Sequence, residues 1–399
     1  MSYHFLNPIS RYIFCALFVV STAQTVSTQT LEIMEKSTIK PEKKRARELG
    51  IKPGILNPGT YNAITDVAGV TVGHTTLVKG SSIRTGVTAI LPHQGTIFQK
   101  KVPAAVFVGN GFGKALGFTQ IEELGAIETP IVLTNTLNAF LVANYLIDYT
   151  LSIPENKDIG SVNPVVGETN DGYLNDIQGR HVKKEHLISA IQSASSGLVE
   201  EGNVGAGTGT LCLGYKGGIG TSSRVLPESR GGYTVGVLVQ TNFGGVLTIN
   251  GAAVGEKLKN HYMANEIPYK VDGSCMIVIA TDAPLSARNL KRLAKRSYIA
   301  FGKVGGFSSN GSGDYSIAFS TYEKNRIPYR AKKRENEVVA VSNDHMSPLF
   351  LAVVEATEEA IYNSLFMAED MTGQKNRNAK ALPVDKVLKI LDNHKLREQ

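Results

Sequence analysis

The chain has 399 residues, of which 42% are apolar and 19% are charged, a composition typical of folded globular proteins. Length alone would permit two or three domains, but no low-complexity linker divides the sequence. The formal net charge of +7 is spread along the chain, and we therefore expect no nucleic-acid partner.

The first 23 residues have the pattern of a secretory signal peptide. Arg11 provides the positive end, residues 12–20 (YIFCALFVV) form a short apolar core, and residues 21–23 (STA) form a small-residue cleavage site. The apolar core is too short to span a membrane, and no other long apolar run occurs in the sequence. We therefore predict a periplasmic or secreted protein without a membrane span, in which the polar, lysine-rich residues 24–44 form a mobile N-terminal segment.

Three cysteines occur, and Cys15 would be lost with the signal peptide. Cys212 and Cys275 both lie in apolar runs, and two cysteines are too few for a disulfide scaffold. We expect two buried free thiols, with a single bridge as the alternative in an oxidising compartment.

The apolar patterns along the chain alternate between strand and helix periods. Strands are predicted over residues 64–74 (two strands and a turn), 85–92, 102–108, 131–134, 233–240 and 315–320. Helices are predicted over residues 139–149, 185–195, 286–300, 348–368 and 383–391. An exposed loop is predicted over residues 256–272. Several strands paired with several helices indicate a layered α/β sandwich.

The segment 202–220 is rich in glycine and contains GAGTG at residues 205–209 and GGIG at residues 217–220. It lacks the flanking strand and helix of a dinucleotide fingerprint and the Gly-Lys-Ser or Gly-Lys-Thr of a P-loop. We interpret these glycines as sites of close backbone packing and tight turns, and we predict no cofactor.

Residues 270–284 (KVDGSCMIVIATDAP) place a hydroxyl at the mouth of an apolar, β-branched strand. Gly273 can adopt backbone angles that other residues avoid, so the Gly273–Ser274 peptide could be strained and open to attack by the Ser274 hydroxyl. Cleavage there would give Ser274 a free α-amine, with a reference pKa of about 8, which could take the hydroxyl proton without a histidine. Taken alone, these residues favour an ordinary turn entering a core strand over such a cleavage site.

Metal and histidine chemistry have no signature in the sequence. The eight histidines are scattered, no His-Glu-x-x-His occurs and no cysteine pair has ligand spacing, so we predict no metal site. There is also no Gly-x-Ser-x-Gly nucleophile elbow. An acyl-transfer enzyme of this composition would use a lysine or a terminal amine as its base.

Several separated motifs, in this order, resemble those of the DmpA-like family, the L-aminopeptidase/D-esterase group that includes the β-peptidyl aminopeptidases. They are residues 64–74 (ITDVAGVTVGH), 165–172 (VVGETNDG), 240–244 (QTNFG), 272–274 (DGS), 310–314 (NGSGD) and 348–360 (PLFLAVVEATEEA). The likeness extends from about residue 45 to about residue 373.

The resemblance implies a four-layer α/β/β/α sandwich like that of N-terminal-nucleophile hydrolases but with different strand connectivity. It implies one hydrolase domain over residues 45–399 that cuts itself between Gly273 and Ser274. The products would be an α chain ending at residue 273 and a β chain of residues 274–399. We expect the processed αβ units to form a homo-oligomer that acts on small peptides or amino-acid amides.

The resemblance also assigns catalytic roles. Ser274 would attack the scissile carbonyl, and Asn242 would donate its side-chain amide to the oxyanion. Ser312 and Asp314 would hydrogen-bond near the Ser274 amine and hydroxyl, and would orient both groups.

Two further residues would bind substrate. Glu168 would bind the free ammonium group of the substrate by a charge-assisted pair, which would account for aminopeptidase specificity. Asn170 stands where some relatives carry a tyrosine that assists the oxyanion. Because asparagine is shorter, this departure puts that contribution in doubt.

These motifs indicate an exported, self-processing serine aminopeptidase or amidase that removes N-terminal residues from short peptides, amides or esters, including D- or β-amino acid derivatives. One alternative is a catalytically idle secreted relative that acts as a binding protein, which only the Asn170 departure supports. A second alternative is an unrelated enzyme that uses Cys275. Strand alternation disfavours it, because Cys275 should point to the face opposite Ser274.

Overall fold

The computed structural model describes residues 43–264 and 273–398, which belong to one compact unit. The predicted signal peptide (1–23), all but the last two residues of the predicted mobile segment (24–44), and the final eight residues of the predicted loop 256–272 lie outside the described residues. None of the helices in the described ranges is both long and apolar enough to cross a membrane.

The strands are β1 (Thr71–Lys79), β2 (Ile83–Leu91), β3 (Lys100–Gly111), β4 (Ala126–Ile127), β5 (Ile131–Asn135), β6 (Val165–Thr169), β7 (Leu211–Cys212), β8 (Tyr215–Lys216), β9 (Ile219–Val225), β10 (Thr234–Asn242), β11 (Ser274–Thr281), β12 (Gly313–Ser320), β13 (Ile327–Pro328), β14 (Met371–Thr372) and β15 (Asn378–Ala379). The α-helices are α1 (Phe118–Leu124), α2 (Ala139–Ser152), α3 (Lys184–Gln192), α4 (Val254–Lys257), α5 (Ala287–Lys303), α6 (Ser347–Phe366) and α7 (Val384–Asn393).

Two sheets stack face to face between two layers of helices. The first sheet has the strand order β1-β2-β5-β6, and the second has the order β13-β3-β12-β11-β10-β9, with β4 beside β3. Helices α2 and α3 pack on the first sheet, and α5 and α6 pack on the second. This arrangement is the predicted four-layer α/β/β/α sandwich, which is thereby confirmed.

Strand β11 lies at the centre of the second sheet and is buried on both faces. Cys275 and Ile277 belong to the core beneath α5 and α6, whereas Met276 and Val278 belong to the core between the two sheets. Successive side chains of a strand point to opposite faces. Ser274 therefore faces the same way as Met276, and Cys275 points away from it, as predicted.

The first residue of β11 lies between two other strand ends. Ser274 is opposite Asn242 of the antiparallel strand β10 and opposite Gly313 of the parallel strand β12. Strands β11 and β12 run parallel because α5 makes the crossover between them. The end of β10 and the starts of β11 and β12 consequently lie side by side at one end of these central strands.

The secondary structure differs from the prediction at three places. Residues Ile64–Asp66 form a 3-10 helix rather than a strand, because the Asp66 carboxylate accepts hydrogen bonds from the Tyr61 and Ala63 N–H groups, which competes with strand pairing. The glycine-rich segment contains strand β9, which the sequence did not predict. Gly220 lets this strand lie against α6, since a Cβ there would be 1.9 Å from the Ala360 carbonyl oxygen. The first two residues of the predicted exposed loop 256–272, Glu256 and Lys257, are exposed but belong to α4.

A buried ion network joins β9 to helix α6. The Arg224 guanidinium is fully buried and donates to Glu355 at 3.1 Å and to Glu359 at 2.7 Å. It also donates to the Pro53 carbonyl oxygen at 2.9 Å, while Arg47 pairs with Glu359 at 2.9 Å. This network attaches the first described segment of the chain to both the second sheet and α6.

We expect Arg224→Met to lower the free energy of unfolding by about 3–5 kcal/mol, because it leaves buried carboxylates without their main partner. The measurement is a urea unfolding curve followed by circular dichroism. Lys291→Met is the matched control, since Lys291 pairs with Glu122 where both side chains are half exposed, and its loss should cost about 1 kcal/mol or less. Equal effects of the two substitutions would contradict a stabilising role for the buried network.

Candidate active site

The peptide bond between Gly273 and Ser274 lies tightly against the end of β10. A Cβ at position 273 would be 2.1 Å from the Asn242 carbonyl oxygen and 2.5 Å from the Phe243 Cα. The backbone angle predicted for Gly273 depends on Asp272, which lies outside the described residues, so it stays a prediction. Glycine is required at this position by close approach of two backbones.

One backbone donor contacts both groups that would react in a cleavage of this bond. The Gly313 N–H donates to the Gly273 carbonyl oxygen at 3.2 Å and to the Ser274 Oγ at 3.3 Å. It therefore fixes the Ser274 hydroxyl beside the carbonyl that precedes it. A donor on that oxygen also withdraws electron density from the carbonyl carbon, which favours nucleophilic attack.

The Asn242 side chain is oriented by a neighbouring backbone. Its Oδ1 accepts a hydrogen bond from the Leu211 N–H at 3.1 Å. Because a backbone N–H can only donate, the atom facing Leu211 must be the amide oxygen. The amide nitrogen Nδ2, at the end of β10 opposite Ser274, is left to donate to a substrate.

Ser312 and Asp314 flank Gly313 and are both buried. The Ser312 hydroxyl donates to Asp314 Oδ1 at 2.8 Å, while Asp314 Oδ2 is buried and makes no hydrogen bond within the described parts of the chain. Burial raises the pKa of Asp314, and the hydrogen bond from Ser312 opposes that rise. A buried carboxylate oxygen without a partner is a site for a nearby cation. Asp314 of β12 pairs in register with Cys275, so its carboxylate lies beside the start of β11.

Glu168 lies at the end of β6 and is 2% exposed. Its carboxylate accepts hydrogen bonds from the Lys114 N–H at 2.8 Å and from the Thr136 hydroxyl. Burial raises its pKa, which these two hydrogen bonds oppose. The loop that follows β3 lies between Glu168 and Gly313, the residue opposite Ser274. A Cβ placed on Gly113 of this loop would be 3.1 Å from Glu168 Oε1 and 3.2 Å from the Gly313 Cα.

Asn170 is not part of the buried group. Its side chain is exposed, and its Oδ1 accepts a hydrogen bond from the Gly172 N–H at 2.9 Å. This is the local turn that asparagine forms with its own backbone. Ser274, Asn242, Ser312 and Asp314 are thus brought together and Glu168 is close by, whereas Asn170 lies on the outer loop.

The two thiols are free and buried, as predicted. Burial raises the pKa of Cys212 to about 12 and raises that of Cys275 well above its usual value. A thiol must ionise to act as a nucleophile, so neither side chain is suited to that role. No group of three or more histidine, cysteine, aspartate or glutamate side chains in the described ranges could hold a metal ion.

We expect Cys275→Ala to retain the hydrolytic activity of the native chain to within about threefold, because the thiol points into the core beneath α5 and α6. The measurement is kcat/KM of the purified variant, corrected for its folded fraction, since losing a buried sulfur also costs stability. A loss of more than a hundredfold with an unchanged fold would support Cys275 as the nucleophile.

The fold and the site together define the class. The four-layer α/β/β/α sandwich is a fold of the Ntn hydrolases, as in the solved aminopeptidase to which this chain is similar, and a buried serine begins one of its central strands. The chain belongs to peptidase family S58, whose family model matches residues 62–379. It is therefore a hydrolase that acts on peptide bonds, an aminopeptidase.

Three relatives are similar over nearly their whole length. The beta-peptidyl aminopeptidase BapA of Sphingosinicella microcystinivorans is 42% identical over 376 residues, covering 88% of this chain and 92% of the relative. The PH0078 protein of Pyrococcus horikoshii OT3 is 48% identical, with a TM-score of 0.81 and coverage of 88% of this chain and 99% of that one. The L-aminopeptidase D-Ala-esterase/amidase of Ochrobactrum anthropi, described as a variant of the Ntn hydrolase fold, is 37% identical, with a TM-score of 0.82 and coverage of 89% and 100%.

Two contributors to the site were missed by sequence reasoning. The Gly313 and Leu211 N–H groups are backbone donors, and a backbone donor has no side-chain signature. Sequence reasoning also passed over Lys216, a buried lysine of β8, although it is the one charged residue in the segment 211–220 (LCLGYKGGIG).

Proposed function

We propose that this protein is an exported, self-processing serine aminopeptidase that forms an acyl-enzyme on Ser274. The observation that carries the proposal is the shared donor at the Gly273–Ser274 bond, where the Gly313 N–H contacts both the Ser274 Oγ and the Gly273 carbonyl oxygen. Export rests on the signal-peptide pattern of residues 1–23, which would direct the chain to the periplasm or the medium.

Self-cleavage proceeds by an acyl shift. The Ser274 Oγ attacks the Gly273 carbonyl carbon, the bond from that carbon to the Ser274 nitrogen breaks, and that nitrogen takes the hydroxyl proton to become an amine. Water then hydrolyses the resulting ester and leaves a Gly273 carboxylate and a free Ser274 hydroxyl. The buried Arg224–Glu355–Glu359 network lies between the two products and supports their remaining together.

Turnover uses the amine so formed. The Ser274 amine takes the proton of its own hydroxyl as Oγ attacks the substrate carbonyl, and it returns that proton to the leaving amine. Asn242 Nδ2 donates to the oxyanion, together with the Gly313 N–H. Asp314 Oδ2, which has no partner among the described residues, stabilises the amine when it is protonated. Water attacks the acyl-enzyme by the same route.

The substrate class follows from Glu168. A buried carboxylate near the nucleophile favours substrates with a free N-terminal ammonium group. Similarity to a beta-peptidyl aminopeptidase supports short peptides and amides with an N-terminal β-amino residue as the first substrates to test, followed by α-L- and D-amino-acid amides and esters. We propose that the processed αβ units assemble into a homo-oligomer.

Expression of the full chain tests this function directly. A denaturing gel should show two fragments, and N-terminal sequencing of the smaller one should begin at Ser274. The processed protein should release p-nitroaniline from amino-acid p-nitroanilides or amines from β-peptides. An intact chain that never exposes Ser274 contradicts the proposal. Processed protein that hydrolyses none of these compounds supports the binding-protein alternative. The departure at Asn170, whose side chain is exposed, is the sequence feature that favours that alternative.

We expect Glu168→Gln to raise KM for substrates with a free amine by roughly tenfold to a hundredfold, because a neutral amide replaces a charge-assisted partner. With the native enzyme, KM should also rise as the pH falls, since the protonated carboxyl binds an ammonium group weakly. Burial raises the pKa of Glu168, so this rise begins at a higher pH than for an exposed glutamate, and it should be absent from the variant.

The control for this prediction is Glu122→Gln, whose carboxylate is half exposed on α1 and pairs with Lys291. Its KM should match that of the native enzyme. If Glu168→Gln lowers kcat and leaves KM unchanged, Glu168 has a role other than binding the ammonium group.

A further inference from the structure

Lys216, in β8, is a fully buried lysine without a carboxylate partner. Its Nζ donates to the Gly207 carbonyl oxygen at 3.0 Å and to the Gly217 carbonyl oxygen at 2.6 Å, and no carboxylate of the described residues lies within ion-pair distance. Burying an ammonium group without an ion pair costs free energy. An apolar side chain of similar length would avoid that cost, so packing alone does not explain a lysine here.

The surroundings of Lys216 are nearly free of charge. Two titratable groups interact with it electrostatically, namely Cys212 from β7 and Asp171 from the loop after β6. Burial lowers the pKa of Lys216 to about 7, and these two groups oppose that change. The two carbonyl oxygens are therefore the groups that hold the Nζ in place.

The position of Lys216 connects it to the oxyanion side chain. Strands β7 and β8 form a short hairpin in which Lys216 is opposite Leu211. Leu211 is the residue whose N–H binds Asn242 Oδ1, and the hairpin also docks on β10 through the Leu213 N–H, which donates to the Phe243 carbonyl oxygen at 2.6 Å.

The two carbonyl groups that hold the Nζ lie on either side of this hairpin. Gly207 ends the turn that precedes β7, and Gly217 directly follows β8. The Gly217 N–H in turn donates to the Thr210 carbonyl oxygen at 3.1 Å. The lysine thus ties together the two chain segments that enter and leave the hairpin, immediately next to Leu211.

We propose that Lys216 is a positioning residue for the oxyanion group. Its Nζ holds the base of the β7–β8 hairpin, the hairpin presents the Leu211 N–H to Asn242 Oδ1, and that contact keeps Asn242 Nδ2 directed toward Ser274. The inference rests on the proposed function, because it assigns Lys216 to the same oxyanion site. Lys216 itself touches neither the substrate nor Ser274.

The test is Lys216→Met, which keeps the length of the side chain and removes the donor. We expect kcat to fall roughly tenfold to a hundredfold with KM within about twofold, because a catalytic group displaced by about 1 Å loses that much. The rate of self-cleavage should fall as well. Lys101→Met is the matched control: Lys101 is mostly buried and pairs with Glu128 at 2.6 Å, near the end of β3 that is remote from Gly111, and kcat should not change.

A double-mutant cycle separates positioning from general stability. If Lys216 acts through Asn242, then Lys216→Met should slow an Asn242→Ala enzyme by less than about twofold. Full additivity of the two effects, in kcat or in self-cleavage rate, would overturn the inference, as would a normal kcat for Lys216→Met.

Should Lys216→Met fail to fold, Leu211→Pro is the second variant, because it removes, at a half-exposed position, the backbone N–H that donates to Asn242 Oδ1. It should reproduce the fall in kcat and the lack of additivity with Asn242→Ala, and additive effects would again overturn the inference. Failure of the proposed function is distinguishable, since it would appear as activity retained by Ser274→Ala. Loss of activity in Ser274→Ala combined with additivity in the cycle contradicts only the role of Lys216.

Discussion

Ser274→Ala is expected to yield a single uncut chain without measurable hydrolysis. The substitution removes the hydroxyl that the Gly313 N–H holds beside the Gly273 carbonyl, so neither the acyl shift nor the acyl-enzyme can form. Loss of a nucleophile of this kind typically lowers kcat by roughly 10⁶-fold. The measurements are the mass of the purified chain under denaturing conditions and its rate of amide hydrolysis.

The fold should survive this change. Ser274 is the first residue of β11, and the hydrophobic cores on the two faces of the second sheet do not depend on its hydroxyl. Circular dichroism and the urea midpoint serve as controls. Ser274→Cys is the informative companion, since a thiol can still attack, and we expect it to retain partial self-cleavage. A Ser274→Ala chain that remains in one piece and yet hydrolyses substrate would rule out the terminal amine as the catalytic base.

Asn242→Ala is expected to lower kcat by roughly 10²–10³-fold with little change in KM. In the proposed mechanism the side-chain amide would donate to an oxygen on which negative charge develops in the transition state, and removal of one such donor typically has this effect. Self-cleavage should slow by a similar factor, because the same site performs both reactions. The measurements are steady-state kinetics on the processed fraction and the time course of fragment appearance.

Two asparagine variants sharpen this prediction. Asn242→Asp keeps an oxygen that can accept from the Leu211 N–H but cannot donate, so it should be as impaired as the alanine variant. Asn170→Ala removes an exposed side chain whose oxygen is used in its own turn, and its kcat should stay within about twofold of the native value. A defect in Asn170→Ala equal to that of Asn242→Ala would place the second oxyanion donor on the outer loop.

The hydrogen-bond donors of the site are fixed by the fold, whereas the Ser274 amine would appear only after cleavage. The Gly313 N–H is held in the sheet between β11 and β12, and Asn242 is fixed by Leu211, so these donors need little reorganisation when charge develops on the substrate oxygen. The Ser274 amine would be released only by cleavage. Most of the site would therefore be built before the base exists.

Much of the architecture was determined by local sequence. The apolar run after Ser274 predicts a strand buried on both faces, and the amphipathic pattern of residues 286–300 predicts α5, because side-chain periods of 2 and 3.6 report which face is buried. The spaced motifs also identified the residues that gather around the serine, since Ser274, Asn242, Ser312 and Asp314 do lie together at one end of the central strands of the second sheet.

Other features were decided only by the tertiary structure. Gly273 is needed because the Asn242 backbone lies against it, and contact between distant segments has no local pattern. The direction of the Asn242 amide depends on the Leu211 N–H, the serine is held by the Gly313 N–H, and Asn170 turns outward. Every residue other than proline carries an N–H group, so sequence cannot indicate which one the fold leaves directed at a reacting atom.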